Sequence, residues 1–162
     1  MDKFTASLDK QFAAIHQRSC ELTEKIRPDW LYRQPLDTIG ALSCGEHILR
    51  SAATVEQVFG GITVNLWDDP FEWTLPETLA TPAKVIEYLR EVEATRRRAF
   101  VVFKNDADLM KEIMAPAGRA QLVSLLLDAL VRAAHHQGAA FEAFRLLCGA
   151  GCRSRESGHD SQ

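Results

Sequence analysis

Apolar residues return at helical spacing through most of this chain, and that periodicity limits the fold more than any other feature. In the first stretch, Leu8, Ile15 and Leu22 recur every seventh residue, with Phe12, Ser19 and Ile26 beside them. Such a stripe predicts one amphipathic helix from about Phe4 to Ile26. It stops before Pro28, because the residue preceding a proline avoids the helical region. A second helix is expected from Thr38, read as its N-cap, to the Gly60–Gly61 pair, read as its end. Its apolar side carries Ile48, Ala52, Val55 and Phe59. Thr81–Pro82 predicts the start of a third helix, with proline at its first position. Val85, Ile86, Leu89, Val92, Ala99 and Phe103 follow as its stripe. The fourth helix is expected after Gly118 and runs to about Cys148, with Gly149 as its stop.

The connections are uneven. Residues 62–80 hold Trp67, Pro70, Phe71, Trp73 and Pro76, and a link that long in a compact fold is often functional or a crossover. Its aromatic side chains need cover, either from their own chain or from a second subunit. Trp67, Phe71 and Trp73 are therefore candidate interface residues of a homodimer, since aromatics are enriched at interfaces. Residues 104–117 suggest one short helical stretch, Ala107 to Met114, ended by Pro116, and no strand signal stands out. Four long helices with one long loop between the second and third predict an all-α, four-helix bundle. Residues 1–150 make one domain in this reading, and 151–162 a disordered tail.

Composition excludes several classes. The 162 residues are 46% hydrophobic and 25% charged, which is globular. A net charge of -3 argues against nucleic acid as the main partner, because phosphate neutralisation wants a basic surface. The run Arg96, Arg97, Arg98 follows Glu91 and Glu93 and reads as a solvated helix face. No apolar run is long enough to span a bilayer, and the start, MDKFTASLDK, lacks the apolar region of a signal peptide. A cytoplasmic protein with free thiols is expected.

Two adjacent histidines lie inside the fourth helical segment. On a helical wheel His136 falls with Leu122, Leu125, Ala129, Ala133, Ala140, Ala143 and Leu147, the inward stripe. His135 points about a quarter-turn away, beside Asp128, Arg132, Ala139 and Glu142. His135 thus reads as a surface histidine near carboxylates. His136 reads either as a core histidine with a polar partner or as a ligand. On the second helix His47 shares a row with Ser43, Cys44, Ser51, Thr54 and Val58, small or partly polar residues that suit a cavity wall.

Three segments together resemble the DinB-like (DinB/YfiT) superfamily of metal-dependent proteins. They are TEKIRPDWLYRQP, TIGALSCGEHILRSA and HHQGAAFEAFRLLCG, in that order along the chain. The resemblance implies an up-down-down-up four-helix bundle, usually dimeric. It also implies a divalent metal, nickel or zinc, on three histidines, and hydrolase or thiol S-transferase chemistry on small molecules. Carried over, His47 matches the ligand from the second helix and His136 the second ligand from the fourth. The first fourth-helix ligand should stand four residues before His136, where this chain has Arg132. A guanidinium stays protonated and cannot ligate a cation. Two readings follow. In one, a metal survives on His47, His136 and a substitute drawn from His135, Cys44, Glu46 or Asp128. In the other, no metal binds: Arg132 takes its place and pairs with Asp128 or with a small anionic ligand, as in a non-catalytic stress-response or binding protein or in a metal-free enzyme with an anionic substrate.

Overall fold

A computed structural model of the chain describes residues 2–35, 40–70 and 76–156, with the backbone alone for 150–156. Helix α1 spans Lys3–Lys25 and buries Leu8, Phe12, Ile15, Ser19 and Leu22, the face set by the seven-residue repeat. Its end at Ile26, which is extended, agrees with Pro28, which opens a 3-10 turn over Pro28–Trp30.

Helix α2 spans Cys44–Val64, and both of its ends differ from expectation. Thr38 lies outside the described residues. The cap is Ser43, whose side chain accepts from the Glu46 N–H while the Glu46 carboxylate accepts from the Ser43 N–H. This reciprocal pair satisfies two of the orphan donors at a helix start. At the other end the helix runs through Gly60 and Gly61 and stops at Asn65, which is left-handed at φ 56°. The two glycines admit the returning chain rather than end the helix. A Cβ on Gly61 would lie 2.3 Å from the Trp67 ring, and one on Gly60 would lie 3.2 Å from the Leu66 carbonyl oxygen.

Helix α3 spans Pro82–Phe100, opened by Thr81, whose hydroxyl accepts from the Lys84 N–H. A 3-10 turn over Asp106–Met110 follows, then two short strands, β1 at Glu112–Ala115 and β2 at Gly118–Gln121. They pair antiparallel, Glu112 opposite Gln121 and Ala115 opposite Gly118. The helix expected over Ala107–Met114 is therefore half a 3-10 turn and half a strand. Pro116 does not terminate a helix here. It sits in the two-residue link between the strands, and Gly118, at φ 116°, takes the positive φ that a side chain would resist. Helix α4 spans Leu122–Glu156, so the chain stays helical past Gly149, where no positive φ interrupts it. The expected domain limit at residue 150 falls inside this helix, and residues 157–162 lie outside the described residues.

One core joins the helices. Phe12 of α1 meets Phe59 of α2 edge-on at 5.2 Å between ring centroids, and Phe59 lies 5.5 Å from Phe100 of α3. Helix α2 packs against α3 and α4, and α1 against α3 and α4. Polar contacts fix the registers. The Ser51 hydroxyl donates to the Ala133 carbonyl (2.8 Å), tying α2 to α4. The Gln137 amide donates to the Ile15 carbonyl (2.6 Å) and to the Ser19 hydroxyl (2.9 Å), tying α4 to α1. No helix among the described residues is long and apolar enough to cross a membrane.

The run Arg96–Arg98 is not one solvated face. Arg97 and Arg98 are exposed, but Arg96 is 2% exposed. It donates twice to the Glu93 carboxylate (2.7 and 2.8 Å) and also binds Asp9 of α1. Burial opposes the charge on Glu93, yet hydrogen bonds from Arg96 and Arg97 outweigh it and hold the carboxyl below its usual range. Because the folded value lies below the unfolded one, this contribution is complete above about pH 4.5 and is lost as pH falls through the folded value. Arg96→Leu strands a buried carboxylate and should cost about 3 kcal/mol of unfolding free energy at pH 7 in urea titrations. The difference from the parent should shrink below pH 4. A loss no larger than about 0.5 kcal/mol, the range of an ordinary surface change, would show that the pair does not hold α1 to α3.

Candidate functional site

His47 stands in the first turn of α2 and His136 in the middle of α4, and the α2–α4 packing brings them together. Their Nδ1 atoms are 3.3 Å apart, with rings tilted by 38° and centroids 5.6 Å apart. At that distance one Nδ1–H can donate to the other ring when both are neutral, the direction being set by tautomer. His135 lies edge-on to His136, 5.5 Å between centroids, and is exposed. The inward and outward split of the pair on α4 thus matches the helical wheel. His136 itself is half-buried, and its neighbour Gln137 goes deeper, at 6% exposure.

Both histidines of the pair are held below the ordinary value of 6.5. For His136 burial is the largest cause, followed by the charges of His47, His135, Arg50 and Arg132. For His47 burial again leads, Glu46 opposes it, and Arg50 and His135 add to it. Burial thus favours the uncharged form of both rings.

The implied metal can be tested against these donors. Two imidazole nitrogens on one tetrahedral zinc stand about 3.4 Å apart for bonds of 2.0–2.1 Å. His47 and His136 match that one edge. The remaining donors do not complete a site. Cys44 is fully buried, and burial pushes its thiol up to about 12, far from the thiolate that binds metal. The Glu46 carboxylate is held by its capping box with Ser43. Asp128 pairs with Arg132 at 3.1 Å, on the exposed side of α4. His135 faces outward beside His136. Among the described residues no three His, Cys, Asp or Glu side chains lie close enough to share an ion. The residues present therefore do not fit the three-histidine centre that the resemblance implies.

His136, alone of these donors, lines a pocket. A pocket of about 150 Å³ opens between α2 and α4, walled mostly by polar atoms of Arg50, Thr54, Gln57, Asp69, Arg132 and His136. Two guanidinium groups face one carboxylate there. Arg50, Gln57 and Asp69 were not singled out by sequence reasoning. Arg50 and Gln57 follow His47 at helical spacings along α2, a signal open to reading. Asp69 comes from the loop after α2 and carries no local pattern.

Of the aromatic interface candidates, Trp67 lies on its own chain. Its ring lies over Gly61, its Nε1–H donates to Asn65 (3.1 Å), and its carbonyl accepts from Gln57 (2.9 Å). Phe71 and Trp73 fall outside the described residues. No protein-family model, no curated protein and no solved structure matches the chain.

The histidine pair should leave a mark on stability. Its native pKa values lie below the unfolded 6.5, so on acidification the native state takes up fewer protons than the unfolded state does. Stability is then greatest above that value and falls as pH drops through it. The melting temperature should decline from pH 7.5 to pH 5.5, and a His47→Gln, His136→Gln double variant should flatten that decline. The residual slope would come from His16, which burial also lowers. Equal slopes in parent and variant would remove the pair from this account.

Proposed function

We propose that this chain is a DinB-like, up-down-down-up four-helix bundle that binds a small anion, with Arg132 at the position where its relatives place a metal ligand. The observation that carries the reading is the pocket in which Arg50 and Arg132 converge with His136. The charges of both arginines reach His136 strongly enough to help keep it neutral, and the same field that opposes a divalent cation attracts an anion. A phosphate or carboxylate there would accept from the Arg132 guanidinium, whose planar fork suits two oxygens. A neutral imidazole N–H and the Thr54 hydroxyl add donors of the right kind. Arg132 can turn to such a ligand at low cost. Its partner Asp128 is exposed, and exposed pairs are worth at most about 1 kcal/mol. The site is proposed as a binding site, working in the cytoplasm, where Cys20, Cys44 and Cys148 remain free thiols.

The test is titration calorimetry with inorganic phosphate and with acetate at pH 7.5 and low salt. A dissociation constant on the order of 1 mM is expected, weakened about fivefold or more in Arg132→Gln. Metal content of the untagged protein, purified without chelators, decides against the metal reading or for it. Near-stoichiometric nickel or zinc, lost in a His47→Ala, His136→Ala double variant, would sink the anion proposal.

We also propose a homodimer, with one face of α4 as a contact surface. Leu127, Val131 and Phe141 are 42%, 68% and 41% exposed and share one face of α4. Sedimentation velocity should give a dimer at micromolar concentration that Val131→Lys, Phe141→Lys dissociates. A parent protein that sediments as a monomer would end the idea.

A further inference from the structure

The anion pocket has a neighbour. A groove of about 870 Å³ lies between α2, the returning loop and α3, with walls that are mostly apolar. Gln57 lines both cavities, and Asp68 and Asp69, adjacent in the loop, line one each. On α2 the sequence of contacts is continuous. Arg50, Thr54 and Gln57 face the small pocket, and Gln57, Gly60 and Val64 face the groove, one helical turn after another. The volume lies within the range of small-molecule sites, about 300–1,000 Å³. Val64 and Leu66 on its wall are 70% and 56% exposed, apolar surface that a ligand would take out of water.

Charge gives the two cavities opposite preferences. The small pocket has two arginines against one carboxylate. The groove has the carboxylates of Glu56 and Asp68 against one arginine, Arg98, and Glu56 already accepts from the Tyr88 hydroxyl at 2.6 Å. An anionic head is favoured on one side of Gln57 and disfavoured on the other. An apolar body is favoured only in the groove.

We infer that the ligand is an amphipathic anion, an alkyl or aryl chain ending in a phosphate or carboxylate, its head beside Arg132 and His136 and its body along Gly60, Val64 and Leu66. This rests on the anion reading of the pocket and names the class of molecule that the pocket accepts. The two cavities together discriminate by length: a short anion uses one of them, a neutral chain the other, and only the amphipathic molecule uses both.

The experiment compares methyl phosphate, hexyl phosphate and hexanol by calorimetry on the full chain, all below micelle-forming concentrations. Hexyl phosphate should bind at least about tenfold more tightly than methyl phosphate, as burial of several methylenes implies. Arg132→Gln should weaken both phosphates. A Val64→Asn, Leu66→Asn double variant, changed only at exposed positions, should weaken hexyl phosphate and leave methyl phosphate unaltered. If methyl and hexyl phosphate bind equally, the groove plays no part and this inference falls while the anion site stands. If hexanol binds as tightly as hexyl phosphate, the head is irrelevant and the inference falls. If no phosphate binds, the anion reading fails and takes this inference with it.

Discussion

The arrangement of helices depends on a buried charge. Arg96 of α3 lies at the edge of the aromatic core, its guanidinium 5.2 Å from the Phe100 ring, with Glu93 and Asp9 as its counter-ions. An arginine cannot shed its proton to escape burial, so the fold has to supply carboxylates from fixed directions. Glu93 comes from the same helix, one turn away. Asp9 comes from α1, and only one rotation and one depth of α1 put it within reach. A hydrophobic contact alone would tolerate sliding of α1 along α3, whereas this charge does not. With α1 so placed, Ile15 and Ser19 present the carbonyl and hydroxyl that Gln137 meets, and α4 is fixed in turn. Ser51 then ties α4 to α2 through Ala133. The His47–His136 distance is the last link in that series of registers.

The helices were legible in the sequence because burial imposes period. Leu8, Phe12, Ile15 and Leu22 are buried as the repeat requires, and Thr81–Pro82 opens α3 as written. What failed to read correctly were residues with more than one physical use. Gly60 and Gly61 resemble a helix end, but they serve the close passage of Trp67 and Leu66, a tertiary fact without local signal. Pro116 is compatible with a helix stop and with a strand link. Gly118, two residues on, is the clue that decides for the link. The capping box of Ser43 and Glu46 has a local spacing that was passed over in favour of Thr38. Arg96 was hidden by its neighbours: three successive arginines point in three directions, and composition does not say which one finds Asp9.

The site shows the same division. The wheel separates His135 from His136, because angular position on a helix is a property of spacing alone. It places His136 on the inward stripe but not its depth, since Gln137, one position on, is the residue that reaches α1. The approach of His47 to His136 is a property of two helices and their registers, so the sequence could name both residues without bringing them to 3.3 Å. Asp69 is further from prediction still, because a loop residue has no periodicity to betray the direction of its side chain.

A single substitution can reverse the sense of such a site without altering the fold. Burial lowers both histidines toward the neutral form, and a neutral imidazole serves a cation as a ligand or an anion as a donor. The histidines therefore do not choose between the two. The choice belongs to fixed charge. A histidine four residues before His136 would add a third neutral donor to the edge that His47 and His136 already form. Arg132 instead adds a guanidinium, which repels a cation and donates to an anion. Asp128 does not cancel it, because a solvent-exposed pair is screened and weak, and its partner is open to exchange for a better anion. Arg50 and Arg132 beside His136, against the single carboxylate of Asp69, give the pocket the fixed charge on which the proposed anion reading rests.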